Sequence, residues 1–384
     1  PMTDPMKTSR LKVMTIVGTR PEVIRLSRVI SLLEAHVDHT LVHTGQNYDY
    51  ELNEIFFKDL ELRKPDHFLE VDTSSLGAAV GDIIRRSESV LKEVMPDALL
   101  VLGDTNSCLA AYMAKRLRIP VFHMEAGNRC FDFNVPEELN RRIIDHIADF
   151  NLVYTEHARR HLISEGLPHR RIYLTGSPMK EVLDHYGEKI RGSSILGELE
   201  LKEQQYFVAS FHREENVDHP ENLERIIAVL SDLDAEYGLP VIVSTHPRTR
   251  KRLEEQGVDR SGENIRFLKP FGFTDYVRLQ TGARCTISDS GTISEESAIL
   301  SFPAISIRQS MERPEAQDAG TIILTGFDPE RVLDSIRLVI AEHAQRSYSR
   351  IPDDYTITDT SWRVLKLIQG NAGLSNLWHG IRTP

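Results

Sequence analysis

Acid–base chemistry on a weakly acidic carbon needs carboxylates held where their pKa values can move. Residues 123–142, HMEAGNRCFDFNVPEELNRR, supply such groups around one loop. Glu125 comes just past the apolar run 120–124, which reads as a buried strand. Glu137 and Glu138 open a helical pattern with Pro136 in its first turn, and Gly127, Asn128, Arg129 and Asp132 form the polar link. Asp104, in the Gly103-Asp104-Thr105 turn after the apolar run 98–102, is a further strand-end carboxylate. Open α/β sheets place their ligand sites at strand ends of this kind. Each residue also has a plain structural reading: acidic first-turn residues favour a helix N-terminus, and GDT forms Asx-type turns.

A second group of residues suits an anion. DSGTISEES, residues 289–297, follows an apolar run and begins a helix, so the backbone N–H groups around Ser290, Gly291 and Thr292 can face a diphosphate. Glu296 lies one turn further in, placed to accept from sugar hydroxyls. The structural alternative is a cap by Ser290 or Thr292, with Glu295 completing a capping box. Arg20, Arg213, Arg248 and Arg313 all fall in strand-end loops, where guanidinium forks bind phosphate. His212 and His246 each end a strand, and His123 lies within one. No HExxH motif or clustered ligand spacing supports a metal, so His212 reads as a proton carrier or phosphate ligand. GxGxxG and GxxxxGK[ST] are both absent, which removes the usual dinucleotide and P-loop fingerprints.

The elements that must position these residues alternate. The run 12–17 leads through Gly18 into a helix with Pro21, Glu22 and Arg25 in its first turns. Strands follow at 41–43, 98–102, 120–124, 152–154 and 172–175, with helices at 78–95 and 110–117. The pattern restarts after Gly176, with strands at 206–211, 241–244, 265–268, 285–288, 304–307 and 321–324. Helices at 329–344 and 361–369 close the chain. This predicts two doubly wound parallel α/β domains, residues 1–175 and 176–360, with polar strand ends facing an interdomain cleft. The last segment, 361–384, is expected to pack back on the first domain. A length of 384 residues suits two cores rather than one. The net charge of −11 argues against nucleic-acid or anionic-membrane partners. Three dispersed cysteines, no apolar leader in the first ten residues and no long apolar span predict a cytoplasmic protein.

Taken together, GTRPEVIR, TGQNYD, LGDTNS, HMEAG, PEELNRR, TGSP, HREEN, THPRTR, SDSGT and ERPEAQDAGT make the chain resemble the non-hydrolysing UDP-N-acetylglucosamine 2-epimerases. The resemblance implies a GT-B-like fold, a UDP-sugar substrate, no cofactor or metal, and a homodimer. It implies removal of the C2 proton with loss of UDP from C1, a 2-acetamidoglycal intermediate, and return of UDP with a proton on the other face. Asp104, Glu125 and Glu137 then match acid/base carboxylates, and His212 an essential histidine. Arg25 stands where the family has a lysine, Ser290, Gly291 and Thr292 match the diphosphate turn, Glu296 the ribose contact, and Arg313 lies nearby. Gln46 matches a regulatory glutamine, with Asn47 differing beside it. GNRCFDFNVPEE, DSGT and FHREEN depart from the plain enzymes. They look like the branch acting on UDP-2-acetamido-2,6-dideoxy-L-talose to give UDP-N-acetyl-L-fucosamine for capsule or O-antigen. The competing readings are a UDP-GlcNAc to UDP-ManNAc epimerase, a hydrolysing epimerase, a GT-B glycosyltransferase and a catalytically dead UDP-sugar sensor.

Overall fold

The computed structural model describes residues 10–46, 50, 53–257, 264–345 and 351–382. Asn47, the end of the TGQNYD loop and the first nine residues lie outside them. Two compact units are formed. One comprises residues 1–128, 136–182 and 357–384, and the other residues 129–135 and 183–356.

The first unit is built on seven strands: β1 (Lys12–Val17), β2 (Asp38–His43), β3 (His67–Phe68), β4 (Ala98–Leu102), β5 (Val121–Ala126), β6 (Phe150–Val153) and β7 (Ile172–Leu174). Their order is β3-β2-β1-β4-β5-β6-β7 and every pairing is parallel. Every residue of β4 (ALLVL) and β5 is buried, as expected of strands covered on both faces. The second unit carries β8 (Phe207–Ser210), β9 (Val241–Ser244), β10 (Ile265–Leu268), β11 (Cys285–Ser288), β12 (Ala304–Ser306) and β13 (Ile323–Leu324). Their order is β10-β9-β8-β11-β12-β13, again all parallel. Both sheets therefore reverse direction beside their first strand, between β1 and β4 and between β8 and β11. Loops leaving those strands diverge there and open a crevice at the carboxyl ends.

Helix Arg20–His36 follows β1 with proline at its start, and Val23, Leu26, Ile30 and Leu33 form its buried face. Helix Leu76–Val94 is capped by Ser75, whose Oγ accepts from the Ala78 N–H at 3.1 Å. It stops where Met95 turns left-handed, φ 47°. The closing helix runs Thr360–Trp378, twice the expected span, because Gly370 and Gly373 interrupt the apolar pattern without ending the helix. It packs on helix Arg20–His36, with the Trp362 and His36 rings 5.3 Å apart. The Arg171 guanidinium donates to Ser375 Oγ at 3.1 Å.

The boundary between units falls at Val182/Leu183 rather than at Gly176, because Met179 and Val182 are buried beyond the glycine turn. The return to the first unit comes at Ile357, whose side chain packs where a Cβ on Gly176 would stand. Strand β3 was not legible at all: two half-buried residues carry no period. Among the described residues, no helix is long and apolar enough to cross a membrane.

Candidate active site

In the first unit the crevice between β1 and β4 begins at Gly18. A Cβ there would lie 2.0 Å from Ser107 Oγ and 2.6 Å from Thr44 Oγ1, so only glycine lets the two loops meet. Glu22, fully buried one turn later, ties them together. Its Oε2 accepts from the Gly18 N–H (3.2 Å) and the Thr19 hydroxyl (2.6 Å), and its Oε1 accepts from the Thr105 hydroxyl (3.2 Å). Burial, only partly offset by these hydrogen bonds, raises its pKa to about 7. Arg20 lies over the Phe56 ring at 5.1 Å and, with Gln46, lines a cavity of about 500 Å³ at this crevice.

Asp104 follows β4 and Glu125 stands at the end of the neighbouring strand β5, with Leu102 paired to Met124. The β5–β6 register shifts between Met124 and Ala126, and Glu125 takes φ 61° at that irregularity. A bulge re-aims a side chain in this way, at a backbone cost that non-glycine residues rarely bear. Glu125 accepts from Arg25 at 2.6 Å and from the Tyr154 hydroxyl at 3.4 Å. Asp104 is held by both Nε (3.1 Å) and Nη2 (3.0 Å) of Arg141. Arg141 belongs to helix Pro136–Ile147, and Asn140 of the same helix donates to the Asp104 carbonyl at 3.0 Å. This stitching fixes the helix start that carries Glu137. Glu138 points inward to Arg141 and Arg142, whereas Glu137 keeps a buried Oε2 with no hydrogen-bond partner. Asp104, Glu125 and Glu137 thus share one end of this unit, two with arginine partners and one with a vacant acceptor.

His123 is instead structural. It is fully buried, 2.9 Å from Asp145 and 2.7 Å from the Gly103 carbonyl.

In the second unit the crevice between β8 and β11 is organised by Asp289, which the sequence reading passed over. Its buried carboxylate accepts from the backbone N–H groups of His212 and Arg213 (3.1 and 3.0 Å) and from Asn216 Nδ2 (2.8 Å). It also lies 3.1 Å from His212 Nδ1. Burial alone would raise its pKa; the His212 charge and these donors outweigh that and bring it to about 2. The His212 ring is anchored through Nδ1 and half exposed, which leaves its other nitrogen for a ligand.

The Ser290-Gly291-Thr292 turn leads into helix Ile293–Leu300. Thr292 makes no side-chain cap; Ser290 Oγ accepts its N–H at 3.3 Å. The capping box with Glu295 does not form, because buried Glu295 pairs with Arg313. Arg213 donates to the Asp289 carbonyl (2.9 Å) and to Glu312 (3.4 Å). A Cβ at Gly291 would lie 2.5 Å from that Glu312 oxygen.

The remaining candidates have local partners. His246 caps helix Pro247–Glu255 by accepting the Arg248 N–H at 3.2 Å. The Arg248 guanidinium pairs with Glu214 (3.0 Å) and Asp218. Glu296 is half-buried in the first turn of its helix. Arg141, Asp289 and Glu312 were missed because they act through neighbours distant in sequence, though Arg141, four residues after Glu137 on one helix, left a readable signal; Glu22, three residues after Thr19, left one as well. Among the described residues, no group of three or more His, Cys, Asp or Glu side chains is placed to hold a metal ion.

Residues 32–369 match a family model described as UDP-N-acetylglucosamine 2-epimerase. A solved UDP-N-acetylglucosamine 2-epimerase from Rickettsia bellii is 50% identical, with a TM-score of 0.90 over 96% of this chain and 98% of that one. The Methanocaldococcus jannaschii enzyme, crystallised with UDP-GlcNAc and UDP, superposes with a TM-score of 0.87. It is 31% identical, and the match covers 94% of this chain and 100% of that one. The curated UDP-N-acetylglucosamine 2-epimerase of the same organism is 35% identical over 338 residues, 86% of this chain and 92% of the relative.

Proposed function

The chain belongs to the UDP-N-acetylglucosamine 2-epimerase family, with two GT-B-like α/β domains, and from that premise we propose a non-hydrolysing inversion at C2 of a UDP-N-acetylhexosamine. It is an isomerase, a UDP-sugar 2-epimerase. One carboxylate removes the C2 proton as the C1–O bond breaks, UDP leaves with the bonding pair, and a 2-acetamidoglycal remains. UDP then re-adds at C1 while a second group delivers a proton to the opposite face of C2.

The observation that carries this reading is the arrangement of Asp104, Glu125 and Glu137 at one sheet end. Arginines at hydrogen-bond distance favour the ionised forms of Asp104 and Glu125, the state of a base. Glu137, half-buried at the start of its helix, is the third carboxylate available to exchange a proton with the substrate. Two faces require two groups, and Glu137 with either arginine-held carboxylate supplies them. UDP departure needs its charge stabilised. The Ser290-Gly291-Thr292 turn, the helix behind it, Arg213 and the exposed side of His212 suit that task.

For the substrate we propose UDP-2-acetamido-2,6-dideoxy-L-talose, giving UDP-N-acetyl-L-fucosamine for capsule or O-antigen. The support is the short GNRCFDFNVPEE link, DSGT and FHREEN. The second reading, UDP-GlcNAc to UDP-ManNAc, is favoured by the names of the relatives. A cytoplasmic homodimer completes the proposal; the three cysteines form no disulfide.

Incubation of the two candidate sugars in D2O, followed by NMR at C2, tests both levels. Deuterium and inversion with the L-sugar alone support the whole proposal. Label with UDP-GlcNAc alone keeps the chemistry and overturns the substrate. No label with either sinks the epimerisation and favours a glycosyltransferase.

A further inference from the structure

The outer edge of the first sheet gathers positive charge that the proposed chemistry does not use. Strand β7 ends the strand order, and all three of its residues line a surface cleft of about 590 Å³. Around the same cleft stand Arg159 of helix Glu156–Ser164, His169 and Arg170 of the turn before β7, and Arg363 and Lys366 of the closing helix. No Asp or Glu is among the lining residues.

These charges are only partly answered. Arg159 reaches Glu156 at 3.5 Å and Arg363 pairs with Asp359 at 2.9 Å, and both carboxylates are exposed, 53% and 57%. Arg170 meets neutral groups instead, the Trp378 ring at 5.1 Å and the Trp378 carbonyl at 3.5 Å. Arg171 beside it adds a charge of the same sign. The Lys366 ammonium and the His169 ring are exposed and have no hydrogen-bond or ion-pair partner among the described residues. Four permanent cations against two carboxylates leave an excess of positive charge, on a chain whose net charge is −11.

We propose that this cleft binds the phosphate groups of a small phosphorylated molecule, at a site apart from the diphosphate turn. Three guanidinium groups offer paired N–H donors that match phosphate oxygens, and the Lys366 ammonium adds a point charge. His169, Arg170 and Lys366 are all exposed where they line the cleft, so an anion reaches them from solvent. A neutral ligand would leave the mutual repulsion of these groups in place, whereas an anion relieves it. The inference needs neither C2 chemistry nor the diphosphate turn, so it stands or falls separately from the proposed epimerisation.

Calorimetric titration of inorganic diphosphate into the full chain tests it, with UDP kept saturating to occupy the proposed diphosphate turn. Expected is binding with a Kd below about 1 mM, weakened about tenfold or more by Lys366→Glu and by Arg363→Gln. Lys202→Glu makes the same charge change at an exposed position of the second unit and should leave the Kd unmoved. Lys366 is exposed on its helix, so its replacement disturbs no packing and keeps the test open if Arg363→Gln does not fold. No binding, binding untouched by Lys366→Glu, or equal weakening by Lys202→Glu would overturn the proposal. Binding to phosphatidylglycerol vesicles without binding of free diphosphate would overturn it in favour of a membrane surface.

Discussion

Glu22 is fully buried, and its pKa rises from 4.5 to about 7 on folding, chiefly by desolvation. As pH climbs past 4.5 the unfolded chain releases this proton while the folded chain keeps it. The folded state then binds more protons, so stability falls with pH until the folded group also ionises near 7. The gap of about 2.5 pH units, at about 1.4 kcal/mol each, amounts to about 3 kcal/mol lost between pH 4.5 and 8. Glu22→Gln mimics the neutral acid. Its carbonyl can accept from the Gly18 N–H and the Thr19 hydroxyl, and its amide can donate to the Thr105 oxygen. The variant should therefore match wild type near pH 4.5 and exceed it by about 3 kcal/mol at pH 8. Both tryptophans, Trp362 and Trp378, lie in the closing helix of the first unit, so their fluorescence in urea reports the unfolding of that unit. Stability–pH curves for the two proteins that run parallel from pH 4.5 to 8 would refute the reasoning, as would a gap that widens toward acid.

Asp104→Asn and Glu137→Gln should each lower turnover by about a hundredfold or more while UDP still binds, measured by steady-state rates and calorimetry. Near-normal rates in both would remove them from the chemistry. Arg25→Met leaves the buried Glu125 carboxylate without its cation, at a cost of about 3–5 kcal/mol in stability. It should also move the acid limb of kcat/KM to higher pH, with Arg25→Lys restoring most of both. An unmoved profile would mean that Glu125 does not titrate in the reaction. Gly291→Ala puts a methyl group 2.5 Å from Glu312 Oε1 and 3.1 Å from Arg213 Nη2. UDP affinity should fall about tenfold, about 1.4 kcal/mol, by calorimetry; an unchanged Kd would take the turn out of diphosphate binding.

Apart from β3, both sheets were legible because a parallel strand buried on two faces is a continuous apolar run, and each run here ends in a glycine, a proline or a polar turn. Asp104, Glu125 and His212 were legible for the same reason, since they are the first polar residues after such runs, and Ser290 follows one residue behind Asp289. What those residues do next depends on partners that no local pattern encodes. Asp104 is aimed by Arg141 from 37 residues away, and Glu125 by Arg25 from 100 away. Asp289 gathers Asn216 and both backbone N–H groups from 73 to 77 residues upstream. The bulge at Glu125 is a register event between β5 and β6, invisible until the two strands are paired. The strand order supplies the missing step. Chain reversal beside β1 and β8 brings the first loop of each sheet against the loop of its fourth strand, so Glu22 meets Thr105 and His212 meets Asp289. Residues that look like isolated turn polars along the chain become paired by topology, and the carboxylate left half-buried at the start of its helix, Glu137, is the one whose substitution tests the chemistry most directly.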